Sequence, residues 1–276
     1  MSDELHPAVL LKSLEQRARK RFGQHFLARP SIVSRIVRGA RVHEGDTVLE
    51  IGPGLGVLTR ALLRTGANVT AVELDRDLAS FLREREPSLR LIEADALVVD
   101  LDEAIPEGPA KVVANLPYNV GTQLVIRLVD RPDKVSSIVV MLQKEVVQRL
   151  VAEPGSKAYG SLTVQIAARG QARWLLGVPP DSFFPPPKVD SAVVRIDLYD
   201  EAQTGGLPKE DFDRLVRASF RQRRKTLVNS LGAEVGKARV QQALASLELD
   251  SRVRAEALSH GQFVSLAQHI LAGTSE

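Results

Sequence analysis

Between residues 46 and 152 the sequence alternates short apolar segments with amphipathic ones, and this alternation constrains the fold more than any other feature. Alternating strands and helices predict a mostly parallel sheet with helices on both faces, an α/β fold. Two later strands, near 171–178 and 191–199, are spaced as an antiparallel pair at one sheet edge. The earlier strands are predicted at 46–51, 68–73, 89–93, 111–115 and 137–142, and the helices between them at 56–65, 76–85 and 120–129.

The remainder of the chain has a different pattern. A Gly/Pro-rich segment, Thr204–Pro208, reads as a linker, and the residues after it are charged and helical without strand signals. We therefore predict two domains in the 276 residues: an α/β domain over 1–203, with an N-terminal extension at 1–29, and a helical domain over 207–276. Near the N-terminus, the basic cluster Arg17–Arg21 has two open interpretations, a solvated helix end or an RNA contact.

A glycine turn follows the first predicted strand, in the sequence Glu50-Ile51-Gly52-Pro53-Gly54-Leu55-Gly56. Such turns let a ligand approach the backbone closely, and the absence of a following Lys excludes a P-loop. The next strand ends at Glu73, about 20 residues past the first glycine, where a ribose-binding carboxylate is expected. Asp95 follows the third strand and can reach the amine of an adenine. Three successive strand ends thus predict a nucleoside site.

A fourth strand end carries Asn115-Leu116-Pro117-Tyr118. Tyr118 can stack on a flat base, and the side-chain oxygen of Asn115 can accept a hydrogen bond from an exocyclic amine. Pro117 restricts Leu116 to extended conformations, which can aim the Leu116 carbonyl at the same amine. Both acceptors favour a pyramidal nitrogen with its lone pair directed at an electrophile. An ordinary strand-to-loop turn is the alternative for these residues alone.

Composition limits the remaining function classes. The 37 Lys and Arg residues slightly exceed the 34 Asp and Glu residues, which is mild support for an anionic partner. The chain has no cysteine, and its five histidines show no metal-ligand spacing, so neither a metal nor a disulfide framework is expected. Without a secretory signal or a membrane-spanning apolar segment, we expect a cytoplasmic protein that does not contact membranes.

These motifs together resemble the rRNA adenine N6-methyltransferases, and most of all the small-subunit (16S) rRNA adenine N6,N6-dimethyltransferases of the KsgA family. The resemblance extends over roughly residues 19–270. The motifs that carry it are Gln24-His25-Phe26-Leu27, Glu50 to Gly56, Val72-Glu73-Leu74-Asp75, Glu93-Ala94-Asp95-Ala96, Asn115 to Tyr118, and Phe183-Phe184-Pro185-Pro186-Pro187-Lys188-Val189-Asp190-Ser191.

The resemblance implies a class I, Rossmann-like sheet of seven strands, a small all-α C-terminal domain and S-adenosyl-L-methionine as cofactor. One departure is His25, because many family members have Asn there. The implied cofactor-binding residues are His25, Leu27, Gly52, Gly54, Glu73, Asp95, Ala96 and Asn115. The implied catalytic residues are Asn115, Leu116, Pro117, Tyr118 and Phe183, with Phe183 lying against the target base opposite Tyr118. The implied RNA-binding residues are Arg221, Arg223, Arg224 and Lys225, expected at the start of the helical domain's second helix.

The implied reaction is dimethylation of two adjacent adenines near the 3′ end of small-subunit rRNA. The implied partner is that rRNA within a pre-assembled 30S-type particle, and a monomer is expected. Three alternatives stay open: a large-subunit rRNA adenine N6-methyltransferase of the macrolide-resistance type, a non-catalytic RNA-binding ribosome assembly factor, and an amino-methyltransferase that acts on DNA or a small molecule. The Pro-rich segment after Phe184 and the run from Arg223 to Leu227 favour the small-subunit branch by likeness.

Overall fold

The computed structural model describes residues 6–13 and 24–271, so the basic cluster at 17–21 lies outside the described residues. Its contacts divide the chain into two compact units. The first comprises residues 1–147 and 173–200, and the second comprises 148–172 and 201–276.

The α/β prediction is confirmed by the sheet of the first unit. Seven described strands follow one another in the order β4-β3-β2-β5-β6-β9-β7. Strands β2 to β6 pair in parallel, and β9 pairs antiparallel with β6. The strands are β1 (Phe26–Leu27), β2 (Thr47–Ile51), β3 (Asn68–Glu73), β4 (Arg90–Glu93), β5 (Ala110–Asn115), β6 (Val135–Gln143), β7 (Gly170–Val178), β8 (Phe183–Phe184) and β9 (Ser191–Leu198).

Helices connect the parallel strands as predicted, and the ends of the three predicted helices at 56–65, 76–85 and 120–129 differ by at most two residues. The described helices are α1 (Pro7–Ser13), α2 (Pro30–Ala40), α3 (Val57–Leu63), α4 (Arg76–Arg85), α5 (Leu101–Ala104), α6 (Gly121–Val129), α7 (Lys144–Leu150), α8 (Ser161–Ala167), α9 (Lys209–Phe220), α10 (Leu227–Val235), α11 (Lys237–Ser246) and α12 (His260–Leu271). The short helix α5 carries no clear sequence signal, because it completes only about one turn.

Parallel register brings the functional strand ends to one edge of the sheet. Ile51 of β2 is opposite Val72 of β3 on one side and Ala114 of β5 on the other. The glycine turn after Ile51 therefore begins at the same level as Glu73 and Asn115. This is the edge at which open α/β sheets bind ligands.

A short two-stranded ribbon lies outside the main sheet and was not predicted. Strand β1 pairs antiparallel with β8, so that Phe26 is opposite Phe184 and Leu27 is opposite Phe183. Each strand has two residues, which is too short for any period-2 pattern to show in the sequence. The ribbon joins two motifs that lie more than 150 residues apart in the chain.

The second unit is a helical domain with its own apolar core, built around Phe212 and Phe263, both fully buried. Its boundary differs from the predicted one, since residues 148–172 belong to it as well. Val164 of α8 is part of the same buried cluster. Arg169 donates to both carboxylate oxygens of Asp213, at 3.1 and 2.7 Å. These apolar and ionic contacts explain why α8 belongs to the helical unit.

None of the helices that the structure describes is long and apolar enough to cross a membrane.

Candidate active site

The first unit contains a cavity of about 320 Å³ at the carboxyl edge of the sheet. This volume is at the lower end of the range for small-molecule sites. The cavity brings together all of the predicted cofactor-binding residues and four of the five predicted catalytic residues. These are His25, Leu27, Gly52, Gly54, Glu73, Asp95, Ala96, Asn115, Leu116, Pro117 and Tyr118.

The glycine turn forms one wall of the cavity, and its geometry explains the glycines. Gly52 and Gly54 have φ values of 67° and 59°, in the left-handed region that L side chains rarely adopt. A Cβ atom added at Gly54 would meet the ring of Phe26 at 3.0 Å, whereas one added at Gly52 would meet nothing within 4 Å. Gly54 therefore packs against the protein, whereas the space beside the Gly52 Cα in the cavity wall is open.

Glu73 is only 6% exposed and fixes the glycine turn through its carboxylate. One oxygen accepts a hydrogen bond from the Gly54 N–H at 3.0 Å, and the other accepts from the Asp75 N–H at 2.9 Å. Burial raises the pKa of Glu73, and these backbone hydrogen bonds act against that rise. Each oxygen retains a second lone pair, so the predicted ribose contact remains compatible with this geometry.

Asp95 lies in a loop that is stabilised by hydrogen bonds within the loop and from helix α6. Its carboxylate accepts a hydrogen bond from the Leu97 N–H at 2.8 Å. Arg127 of α6 donates to the carbonyl oxygens of Ala96 and Val99, on the same loop. Because α6 follows the Asn115 turn directly, Arg127 links the position of the Asp95 loop to that of the turn.

The Asn115 side chain has a defined orientation in the cavity wall. Its amide nitrogen donates to the backbone carbonyl oxygen of His25 at 2.9 Å. The amide oxygen is therefore the atom available as an acceptor. In the following turn, the N–H groups of Val120 and Gly121 donate to the Pro117 carbonyl and not to that of Leu116.

Tyr118 is fixed at both its hydroxyl and its ring. The hydroxyl is 2.5 Å from the hydroxyl oxygen of Ser191, and the ring is stacked on the imidazole of His25, with centroids 5.6 Å apart and planes 27° apart. Burial raises the pKa of Tyr118, with the Ser191 hydrogen bond acting in the opposite direction. One ring face is thus already covered by protein.

His25 contributes more contacts than its predicted role required. Its Nδ1 lies 2.8 Å from the Pro185 carbonyl oxygen, and because a carbonyl oxygen can only accept, Nδ1 is the donor in this hydrogen bond. Its own carbonyl holds Asn115, and its ring supports Tyr118. Histidine at this position therefore acts as a support for the Asn115 turn, whatever it contributes to cofactor binding.

Phe183 is the predicted catalytic residue that the structure places elsewhere. Its side chain is 4% exposed and belongs to the apolar cluster around Leu27, Val139 and Leu176. It does not line the cavity. The reason is the ribbon: pairing of β8 with β1 sets Phe183 opposite the buried Leu27 and turns it into the core. The structure thus shows Phe183 as a core residue, and its contact with the target base stays a prediction.

Replacement of Phe183 should accordingly affect folding first. Phe183→Ala removes a fully packed ring, and the expected loss of stability is about 3–5 kcal/mol. Phe184→Ala is a suitable control, because Phe184 is only partly buried and should cost less. Denaturant unfolding of both variants measures the difference. Equal small losses would contradict the core position of Phe183.

The predicted RNA-binding cations lie in the second unit, but not within a helix. Helix α9 ends at Phe220 and α10 begins at Leu227, so residues 221–226 form the turn between them. Arg221 is 3.5 Å from Glu234, and Arg223 donates to the carbonyl oxygens of Lys157 and Tyr159. Arg223 therefore has a structural role. Arg224 and Lys225 are exposed.

Three further residues shape the site without a role predicted from the sequence: Gln24, Glu50 and Ser191. Gln24 donates to the Asp75 carboxylate at 3.0 Å and anchors the segment before β1. Ser191 is fully buried against Tyr118. Glu50 lines the cavity at 1% exposure, with Oε2 lacking a hydrogen-bond partner within the described structure. All three lie inside motifs already singled out, but only the folded geometry reveals their partners.

Comparison with known proteins agrees with this geometry. The family model described as "Ribosomal RNA adenine dimethylase" matches residues 15–271. Proteins named "Ribosomal RNA small subunit methyltransferase A" from Magnetococcus marinus and Acidithiobacillus ferrooxidans are 45% and 46% identical to this chain. The alignment with the first covers 94% of both chains, and that with the second covers 91% of this chain and 94% of the relative.

Two solved structures share the fold over most of the chain. A dimethyladenosine transferase from Plasmodium falciparum has a TM-score of 0.78 at 26% identity, covering 88% of this chain and 96% of the other. The 23S rRNA methyltransferase ErmE has a TM-score of 0.71, also at 26% identity, covering 89% and 99%. The family model matches nearly the whole length of the chain, and the relative from Magnetococcus marinus aligns over 94% of both chains. This chain therefore belongs to the ribosomal RNA adenine dimethylase family.

Proposed function

We propose that the protein transfers methyl groups from S-adenosylmethionine to N6 of two adjacent adenines near the 3′ end of small-subunit rRNA, giving N6,N6-dimethyladenine. The observation that carries the proposal is the Asn115–Tyr118 turn. It sets one amide oxygen and an aromatic ring in the wall of a nucleoside-sized cavity. Relatives named as small-subunit rRNA methyltransferases, aligned over more than nine-tenths of the chain, support the substrate.

The cavity fits the cofactor on the features of this chain alone. The open space beside Gly52 admits a ligand, and the unpartnered Oε2 of Glu50 can accept a hydrogen bond from an ammonium group. Glu73 would hold the ribose and Asp95 the adenine amine, while the half-exposed side chain of Leu74 offers an apolar surface to the base. When bound, S-adenosylmethionine supplies an electrophilic methyl group on a sulfonium.

The Asn115 turn prepares the attacking nitrogen. The N6 lone pair of adenine is delocalised into the ring, so the amine is a weak nucleophile. The amide oxygen of Asn115 and the carbonyl oxygen of Leu116 would each accept one N–H, which favours a pyramidal nitrogen with a localised lone pair. The exposed face of Tyr118 would stack on the target base, with a stacking contribution of about 1–3 kcal/mol. Positioning and electrostatics carry the catalysis.

The Asn115–Tyr118 turn contains no acidic residue that could act as a strong base. The reaction does not require one, for the following reason. The amine nitrogen becomes cationic, and therefore acidic, when it gains the methyl group. Its proton can then pass to water. A second round on the same nitrogen requires that the monomethylated amine still presents one N–H to Asn115 or Leu116.

RNA affinity should depend on Arg224 and Lys225, the exposed cations of the α9–α10 turn. Arg224→Glu with Lys225→Glu should weaken binding of small-subunit RNA at least tenfold and lower the salt slope of log Kd by about one to two. A titration at several salt concentrations measures both quantities.

A second pair of exposed cations in the same unit gives the control. Arg252→Glu with Arg254→Glu changes the net charge by the same amount outside the turn. If that variant lost as much affinity, total charge would explain the effect and the turn would have no special role.

Transfer of a labelled methyl group to isolated ribosomal subunits tests the proposed substrate. Subunits should come from a host lacking this activity, so that the target adenines are unmodified. The proposal predicts label in the small subunit only. Label in the large subunit would transfer the protein to the large-subunit branch, and bound cofactor without transfer to either subunit would favour an assembly factor.

A further inference from the structure

Two buried carboxyl groups share the cofactor cavity. Glu50 comes from the end of β2 and is 1% exposed, and Glu73 comes from the end of β3 and is 6% exposed. Their surroundings differ. Both oxygens of Glu73 accept backbone N–H groups, whereas the Oε2 of Glu50 has no hydrogen-bond partner in the described structure. Glu50 is therefore the group that a ligand would affect most.

The charges around Glu50 do not favour its ionised form. Glu73 adds a second negative charge nearby, and Arg60 of α3 supplies the opposing positive charge. That guanidinium is shared, because it also lies 3.5 Å from the Glu86 carboxylate and donates to the Leu55 carbonyl. Burial raises the pKa of Glu50 to about 8, the charge of Glu73 adds to the rise, and Thr59 and Arg60 act against it. The other titratable side chains among the described cavity residues are His25, Asp95 and Tyr118.

We propose that Glu50 carries a proton in the free protein at neutral pH and releases it to solvent when the cationic cofactor enters the cavity. The inference rests on the proposed function, because S-adenosylmethionine is the ligand that brings the positive charge. Its ammonium and sulfonium groups exceed its single carboxylate, so it has a net positive charge. An ionised Glu50 would compensate for that charge in a site from which water is largely excluded.

Coupling between the ionisation of Glu50 and ligand binding would let Glu50 distinguish the methyl donor, S-adenosylmethionine, from its product, S-adenosylhomocysteine. S-adenosylhomocysteine lacks the sulfonium charge, so it gives less electrostatic compensation for an ionised Glu50. The affinity for the donor should rise up to about tenfold per pH unit below pH 8 and level off above it, since only the ionised form binds tightly. The affinity for the product should change less over the same range.

Calorimetry in buffers of different ionisation enthalpy counts the protons directly. At pH 7, wild-type protein should release between about half a proton and one proton per S-adenosylmethionine bound, and clearly fewer per S-adenosylhomocysteine. Glu50→Gln should bind the donor more weakly than wild-type protein does, release no proton with either ligand, and bind the donor with a pH-independent affinity. This readout requires no RNA and no turnover.

A control variant completes the test, and its outcomes distinguish failure of this inference from failure of the proposed function. Glu93→Gln removes a carboxyl that forms surface ion pairs with Arg76 and Arg83, and it should leave the proton count unchanged. The inference is overturned if wild-type protein binds the donor without proton release, if Glu50→Gln still releases a proton, or if donor and product release equal numbers. Failure to bind the donor at all would instead overturn the proposed function.

Discussion

Asn115→Ala is expected to lower the rate of methyl transfer by about 10²- to 10³-fold while cofactor binding is partly retained. The variant removes the amide oxygen that we propose accepts a hydrogen bond from the target amine, and it leaves the Leu116 carbonyl as the remaining proposed acceptor. It also removes the hydrogen bond to the His25 carbonyl, so a modest loss of cofactor affinity is expected. Single-turnover transfer, measured beside calorimetric cofactor binding, separates the two effects.

Asn119 provides a control from the same turn, because it is exposed and supplies neither of the two proposed hydrogen-bond acceptors, which belong to Asn115 and Leu116. Asn119→Ala should keep transfer within about tenfold of wild type. Near-normal transfer in Asn115→Ala would remove this side chain from the mechanism, and an equal loss in both variants would indicate general damage to the turn.

Glu73→Ala is expected to reduce cofactor affinity by at least about 100-fold, the second large effect. Two causes act together. The ribose would lose its proposed carboxylate acceptor, and the N–H groups of Gly54 and Asp75 lose the partner that fixes the glycine turn. Calorimetric titration with S-adenosylhomocysteine measures the affinity without any contribution from transfer.

Glu93 offers a matched comparison, because it is the Cα partner of Glu73 in the neighbouring strand. Its carboxylate forms exposed ion pairs instead of holding a turn, so Glu93→Gln should bind the cofactor normally. Unchanged affinity in Glu73→Ala would show that Glu73 holds neither the turn nor the ribose. Thermal unfolding of both variants distinguishes lost binding from lost folding.

The sheet and most of the site could be predicted from sequence because their signals are local. Strand β3 and helix α4 have the bounds that hydrophobic periodicity indicated. Parallel strands align their carboxyl ends, so placing Glu73, Asp95 and Asn115 after successive strands was enough to bring them to one cavity.

The errors arose where the structure depends on long-range contacts. The β1–β8 ribbon pairs residues far apart in sequence, and this pairing sends Phe183 into the core. The α8 segment belongs to the helical unit because of the Arg169–Asp213 ion pair and shared apolar packing, neither of which has a local pattern.

The basic turn shows the same limit at a smaller scale. Four cations in five residues suggested one RNA-binding cluster. Hydrogen bonds from Arg223 to the Lys157 and Tyr159 carbonyls give that residue a task within the helical unit. Charge density in a sequence therefore located a candidate surface, but it could not show that Arg223 forms hydrogen bonds within the helical unit.

The most direct test of the central claim is mass spectrometry of nuclease-digested small-subunit rRNA after reaction with the purified protein and S-adenosylmethionine. The rRNA should come from a host that lacks the modification. We expect N6,N6-dimethyladenine at two adjacent positions near the 3′ end, and formation of that product about 10²- to 10³-fold more slowly when the Asn115→Ala variant is used. A methyl group found on another base, or on an adenine atom other than N6, would contradict the proposed reaction.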